Sequence, residues 1–241
     1  MASLAGSRVL VIGGTSGIGL GVARAVLAEG GDVTVASSNP ARVESAIAKL
    51  GGGSGVRLDV SSEDEVARFF ADSGQWDHIA FTAADWAQVD HVDFSGIDLA
   101  AAVHHFTIRF WGAVAVAKHA LAKMRPGGTL IFTNGMAAHR PQKGLAISTA
   151  MAGAVEHLVK GLAVDLAPVR VNGVCPGAIR TEAWDELPED FRRFQEERLS
   201  GQLVPRVGET SECAEAYLYL MKATYTTGQT LRVEGGWSLS G

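Results

Sequence analysis

Apolar residues recur along the chain in two rhythms. Short runs rich in β-branched residues at 8–13, 32–36, 55–59, 77–82, 128–133, 169–174 and 229–233 predict strands. Between them, apolar residues three and four apart predict helices at about 17–30, 40–50, 62–73, 97–124, 145–167 and 209–221. Strands and helices taking turns in this way predict an α/β fold, a doubly wound seven-stranded parallel sheet with helices on both faces. The Gly51-Gly52-Gly53-Ser54-Gly55 stretch is too short for a linker, and no internal repeat is visible. One domain, 1–241, is expected.

The first strand runs into a glycine-rich turn, Gly13-Gly14-Thr15-Ser16-Gly17-Ile18-Gly19, and a helical pattern starts at once. The three spaced glycines have separate tasks: a tight turn, close approach of backbone N–H groups to a pyrophosphate, and close packing of helix on strand. The free N–H groups and positive dipole end of the helix then face the phosphates. The context of a strand before, a helix after and a second strand some twenty residues on makes this a dinucleotide-binding candidate.

Composition narrows the picture. With 241 residues, 47% of them apolar, the chain can bury one large core. A net charge of −5 argues against a nucleic-acid partner. No apolar run is expected to reach the ~18 residues of a membrane span, and no signal peptide is evident. Cys175 and Cys213 form no disulfide or metal pattern, so a cytoplasmic protein without a metal is expected. His104 and His105 are adjacent and point to different faces of a helix, which argues against a joint metal site.

The spacing Gly13-x-x-x-Gly17-x-Gly19 resembles the short-chain dehydrogenase/reductase family, although Ile12 stands where the family usually has Thr. The resemblance covers nearly the whole chain and implies strand order 3-2-1-4-5-6-7. It places the cofactor on Gly13, Thr15, Ser16, Gly17, Ile18 and Gly19, with the adenine amino group on the Asp59-Val60 pair and close passage at Ala83 and Ala84. Of the family's Asn-Asn-Ala-Gly only Ala83 survives. Pro176-Gly177-Ala178-Ile179-Arg180-Thr181 matches the family's nicotinamide loop, in which backbone near Ile179 and the Thr181 hydroxyl hold the carboxamide. The second strand ends in Ser37-Ser38-Asn39 without a carboxylate, and Arg42 follows. That favours NADP(H) over NAD(H), although the same residues also suit a helix cap.

The catalytic positions depart from the family. Aligned on Gly153 and the Arg170-Val171-Asn172 and Pro176-Gly177 runs, the family's Tyr-x-x-x-Lys falls on Ser148 and Ala152, its serine on Gly135 and its asparagine on Arg109. The only tyrosines are Tyr217, Tyr219 and Tyr225. A positioned general acid is worth ~10²–10⁴ in rate, and a serine at 148 is a poor direct substitute for a phenol. Three readings stay open: a substrate that needs no strong acid, such as an iminium or conjugated ketone; another polar group in the acid's place, with Arg109, Asn134, Ser148 and Thr149 the candidates and His139 and Lys143 nearby; or a cofactor-binding protein, sensor or subunit, that performs no redox step. Non-redox isomerisation or elimination in the same pocket is a further alternative.

Trp184, Leu187, Phe191 and Phe194 mark one face of an amphipathic segment within a substrate lid at about 182–205, which suits a small hydrophobic substrate. Trp86 and Trp111 are further pocket candidates. Val103, Phe106, Phe110, Val114, Ala117 and Leu121 form the apolar stripe expected of the long helix. The C-terminal Thr227-Gly228 and Val233-Glu234-Gly235-Gly236 resemble the family's ending, which implies a homo-oligomer, tetramer or dimer.

Overall fold

The computed structural model describes residues 3–84, 93–185 and 188–240. In chain order the elements are β1 (Arg8–Ile12), α1 (Gly17–Ala28), β2 (Asp32–Ser37), α2 (Pro40–Leu50), β3 (Ser54–Arg57), α3 (Glu63–Asp72), β4 (Trp76–Phe81), α4 (Leu99–Phe106) and α5 (Gly112–Ala120). There follow β5 (Met124–Thr133), α6 (Ala146–Asp165), β6 (Arg170–Pro176), β7 (Ile179–Arg180), α7 (Glu182–Asp185), α8 (Glu189–Leu199), β8 (Gly208–Glu209), α9 (Thr210–Lys222) and β9 (Thr230–Val233). Seven parallel strands form one sheet in the order β3-β2-β1-β4-β5-β6-β9, the expected doubly wound arrangement. The two-residue pair β7-β8, a separate parallel ladder, was not expected.

Period-two alternation divides the core. Leu10, Ile12, Ile79, Phe81, Leu130 and Phe132 face α3, α5 and α6, whereas Val9, Val11, Ala80 and Ile131 face α1 and α9. Helix ends follow local chemistry: the Asn39 side chain accepts from Arg42 N at 3.2 Å to cap α2, Pro40 opens it, and Gly51 closes it at φ +67°. The buried Arg170 guanidinium donates to the carbonyls of Leu220, Met221 and Ala223 at 2.7–3.0 Å, satisfying the C-terminal end of α9.

The single helix expected over 97–124 is interrupted. A π-helical turn, Thr107–Trp111, separates α4 from α5, and the Thr107 hydroxyl donates back to the Val103 carbonyl at 2.9 Å. The expected stripe is only partly buried: Phe106, Phe110 and Ala117 join the core, but Val103 and Leu121 are exposed. The buried face carries Ala102, His105, Ala113, Val116, Ala117 and Ala120 instead. Close approach explains the exchange, because a Cβ on Gly112 would already lie 3.1 Å from Val60, so the face toward the sheet takes small residues. Contrary to the expectation about apolar runs, Leu99–Lys123 is long and apolar enough by length and composition to cross a membrane, a test that core helices also pass.

Candidate active site

The glycine turn is built by close backbone approach. A Cβ on Gly13, at φ +83°, would lie 2.5 Å from Ala83 N, and one on Gly19 would lie 2.3 Å from Gly13 O and 2.4 Å from Thr82 Oγ1. Gly17 adopts φ +51°. No acidic residue occupies the first turn of α1, and Ser16 at its N-cap makes no side-chain capping bond. The anion at this helix end comes from elsewhere: Gly17 N–H donates to Glu182 Oε2 at 2.8 Å, across 165 residues. A carboxylate seated there shows that the turn accepts an oxyanion, so the residues present fit the pyrophosphate of a dinucleotide.

The adenosine end carries no acid at the tip of β2. Ser37 Oγ accepts from Asn39 N at 3.3 Å, and Asn39 is engaged in capping, so the helix-cap role of this segment is real. Asp59 Oδ1 accepts from Ser61 N at 2.9 Å and from the Ser61 hydroxyl at 2.7 Å, and these bonds hold its carboxyl below the usual range. Val60 is buried beneath it, and Ala83 packs on the core while Ala84 is exposed.

At the other end, the loop after β6 folds back toward the glycine turn. A Cβ on Gly177 would lie 2.8 Å from Glu234 Cα, Ile179 pairs with Gly208, and Thr181 Cγ2 would lie 3.2 Å from a Cβ on Gly17. The turn, Thr181 and Glu182 therefore meet in one corner. The segment that follows packs partly on itself: Trp184, Leu199 and Val207 form a small buried cluster with Ala178. Trp184 thus lies in the interior of this segment. Trp86 and Leu187 lie outside the described residues, as do the side chains of Phe191 and Phe194. Trp111 is exposed on the π turn, edge-on to Phe110 at 5.0 Å, rather than enclosed in a pocket.

Three side-chain arrangements surround the replaced catalytic positions. Ser148 lies on the first turn of α6; its Oγ is 3.3 Å from Nε2 of His105 on α4, and both residues are buried. Asn134, buried at the end of β5, directs Nδ2 to Glu156 Oε2 at 3.2 Å, and the same oxygen lies 2.6 Å from His139 Nε2. Arg109 lies in the π turn, one helical step beyond His105. Ala152 is buried, and Lys143 is exposed on the loop between β5 and α6.

No tyrosine stands in for the missing phenol. Tyr217 is fully buried on the α1/α9 face, its hydroxyl 2.6 Å from Thr133 Oγ1, and desolvation pushes its pKa well up. Tyr219 and Tyr225 are exposed. The cysteines are no nucleophiles either: burial holds Cys175, with the Glu156 charge adding to it, and Cys213 up at about 12. Among the described residues no group of His, Cys, Asp or Glu is arranged to hold a metal.

From the sequence His105 was weighed only as a metal ligand, and Glu156 and Glu182 were not singled out. Two signals were available: His105 precedes Arg109 by four residues, and Glu156 follows Ser148 and Ala152 at successive four-residue steps on α6. Nothing in the sequence indicates that Glu182 reaches Gly17.

Residues 13–238 match the family model described as enoyl-(acyl carrier protein) reductase. The short-chain dehydrogenase/reductase fsr5 of Gibberella fujikuroi is 35% identical over all of this chain and 97% of its own length. Its counterpart malC of Malbranchea aurantiaca is 34% identical over 98% of this chain and 96% of its own. The solved structure of the MalC reductase/Diels-Alderase superposes with a TM-score of 0.89 at 32% identity, covering 97% of this chain and 96% of that one. A small-chain dehydrogenase in complex with NADPH superposes at 0.84 with 33% identity, over 98% of this chain and all of the other. With the parallel sheet, the glycine turn and the nicotinamide-loop motif in agreement, the chain belongs to the short-chain dehydrogenase/reductase family of NAD(P)-dependent oxidoreductases.

Proposed function

We propose that the protein transfers hydride between NADP(H) and a small hydrophobic carbonyl- or imine-type substrate without the phenol acid of its family. The observation that carries this reading is the pairing of a cradle able to seat an oxyanion, Gly17 N–H on the Glu182 carboxylate, with a serine in place of the tyrosine. When bound, the cofactor supplies the hydride. The chain's own residues would bind and orient it: the β1–α1 turn the phosphates, Asp59 the adenine, and Thr181 with the backbone near Ile179 the carboxamide. The absence of a carboxylate at Ser37-Ser38-Asn39 and the NADPH-bound relative support NADP(H) over NAD(H). Exposed Leu99, Val103 and Trp111 on one helical run, with Val164 on α6, support a homo-oligomer.

The test is calorimetric titration with NADPH and NADH, followed by NADPH oxidation with two bicyclic probes, α-tetralone and N-methyl dihydroisoquinolinium. Tighter binding of NADPH and turnover of at least one probe are expected. Failure to bind either cofactor overturns the proposal, and binding without turnover favours an inactive sensor or subunit. A second reading, non-redox ring closure in the same pocket, is supported by the relative described as reductase/Diels-Alderase. Under that reading product forms with no change in cofactor absorbance.

A further inference from the structure

The pair at the vacated tyrosine position is the most specific chemical feature outside the cradle. Ser148 stands in the first turn of α6 and His105 in the last turn of α4, 43 residues apart in sequence, yet Oγ and Nε2 lie 3.3 Å from each other. Only 2% of His105 and 8% of Ser148 is exposed. A histidine is costly to bury without a polar partner, and a helical serine ordinarily bonds its own preceding turn. Here the Ser148 hydroxyl and His105 Nε2 lie within hydrogen-bond reach of each other across two helices. The π turn directly after α4 sets the phase of the helix on which His105 and Arg109 stand, and such turns recur at functional sites.

We propose that Ser148 and His105 form the proton relay that replaces the phenol, with Ser148 as the group that gives the proton to substrate and His105 as its source. The proposal deepens the reductase reading and rests on it. With hydride delivered to the carbonyl carbon, the C=O π pair moves onto oxygen. Ser148 Oγ–H gives its proton to that oxygen, His105 Nε2–H gives its proton to Oγ, and solvent returns one proton to the imidazole. One ketone, one NADPH and one proton become one alcohol and one NADP+. A serine oxygen is recessed toward the helix relative to a phenol, so the relay suits a substrate whose oxygen enters deeply. The neutral hydroxyl is a weak acid by itself, and the imidazole behind it supplies what a lone serine lacks.

Two probes of matched shape separate a relay from a scaffold. Reducing α-tetralone requires a proton on oxygen, whereas reducing N-methyl dihydroisoquinolinium requires hydride alone. In Ser148→Ala and His105→Gln the tetralone rate is expected to fall by ~100-fold or more, the scale of a positioned acid. The iminium rate and the NADPH affinity by calorimetry stay within about twofold, and Ser148→Thr retains most of the ketone activity. Should His105→Gln not fold, Ser148→Ala and Ser148→Thr carry the test. Equal losses on both probes, or no loss on either, overturn the relay. A wild type that reduces the iminium but not the ketone also overturns it while leaving the reductase reading intact. A wild type that binds NADPH and oxidises it with neither probe removes the reading and the relay together.

Discussion

The β1–α1 turn and the N-terminal half of α6 are made of different material. The turn works through backbone: Gly13 and Gly19 stand where Cβ atoms would strike Ala83 N or Gly13 O at 2.5 Å or less, and the group it presents at Gly17 is an N–H. The α6 face works through side chains, Ser148 and the buried Ala152, which project from a helix that forms whatever they are. The contrast explains what the sequence retains of its family pattern. Changing the turn disturbs contacts that hold helix to sheet, so the fold itself protects it. Tyrosine and lysine on α6 can become serine and alanine with the helix intact, so chemistry there is free to change.

The strongest challenge to this contrast is Gly19→Val. Its branched side chain begins 2.3 Å from Gly13 O and 2.4 Å from Thr82 Oγ1. Overpacking of this kind costs about 1–3 kcal/mol, and distortion of the turn is expected to weaken NADPH binding ~100-fold. Thermal unfolding with and without NADPH measures both. A melting point and affinity close to wild type would show that the turn is pliable and the contrast wrong.

An acid titration sharpens the contrast by isolating the scaffold. Burial lowers the pKa of His78 on β4 to about 4, with the Arg170 charge adding to the effect. The folded state thus holds a neutral imidazole that the unfolded chain protonates from about pH 6.5 downward. Stability is complete above that pH and declines as pH falls toward 4, by about 3 kcal/mol at most. Denaturant unfolding at successive pH values is expected to show this limb unchanged in Ser148→Ala and flattened in His78→Leu. Persistence of the full limb in His78→Leu would assign it to other groups.

The smallest effect is at the corner where lid and turn meet. Glu182→Gln removes the charge seated on Gly17 N–H, an interaction of the helix-end type worth ~0.3–1 kcal/mol. NADPH is then expected to bind about two- to fivefold more tightly in calorimetry. Weaker binding would mean that the carboxylate assists the cofactor rather than competing with it.

Most of the fold was legible because strands and helices here are separate rhythms with caps and glycines between them, as the agreement at α2, from Asn39 to Gly51, illustrates. The phase of the α4–α5 helix was not, because one π turn rotates everything after it and small residues take the inner face. The tight turn was readable from Gly13, Gly17 and Gly19, since backbone demands leave a signature in the glycines themselves. His105 with Ser148, and Asn134 with Glu156 and His139, were not, since each depends on how two elements dock. The β7-β8 ladder is two residues long on each side, too short for any periodicity to reveal.

Trp237 belongs to the C-terminal segment, yet it anchors the far end of α8. Its ring lies 5.5 Å from the Arg140 guanidinium and 5.0 Å from that of Arg198 on α8, and its carbonyl accepts from Arg140 at 2.5 Å. Arg198 also donates to Gln142, so the trailing end of α8 is moored to the loop ahead of α6. Arg180 lies 3.7 Å from Glu196 on the same helix, and Glu182 on the preceding α7 accepts from Gly17 N–H. One aromatic ring between two guanidinium groups thereby binds the C-terminal segment, α8 and the loop ahead of α6 into a single piece.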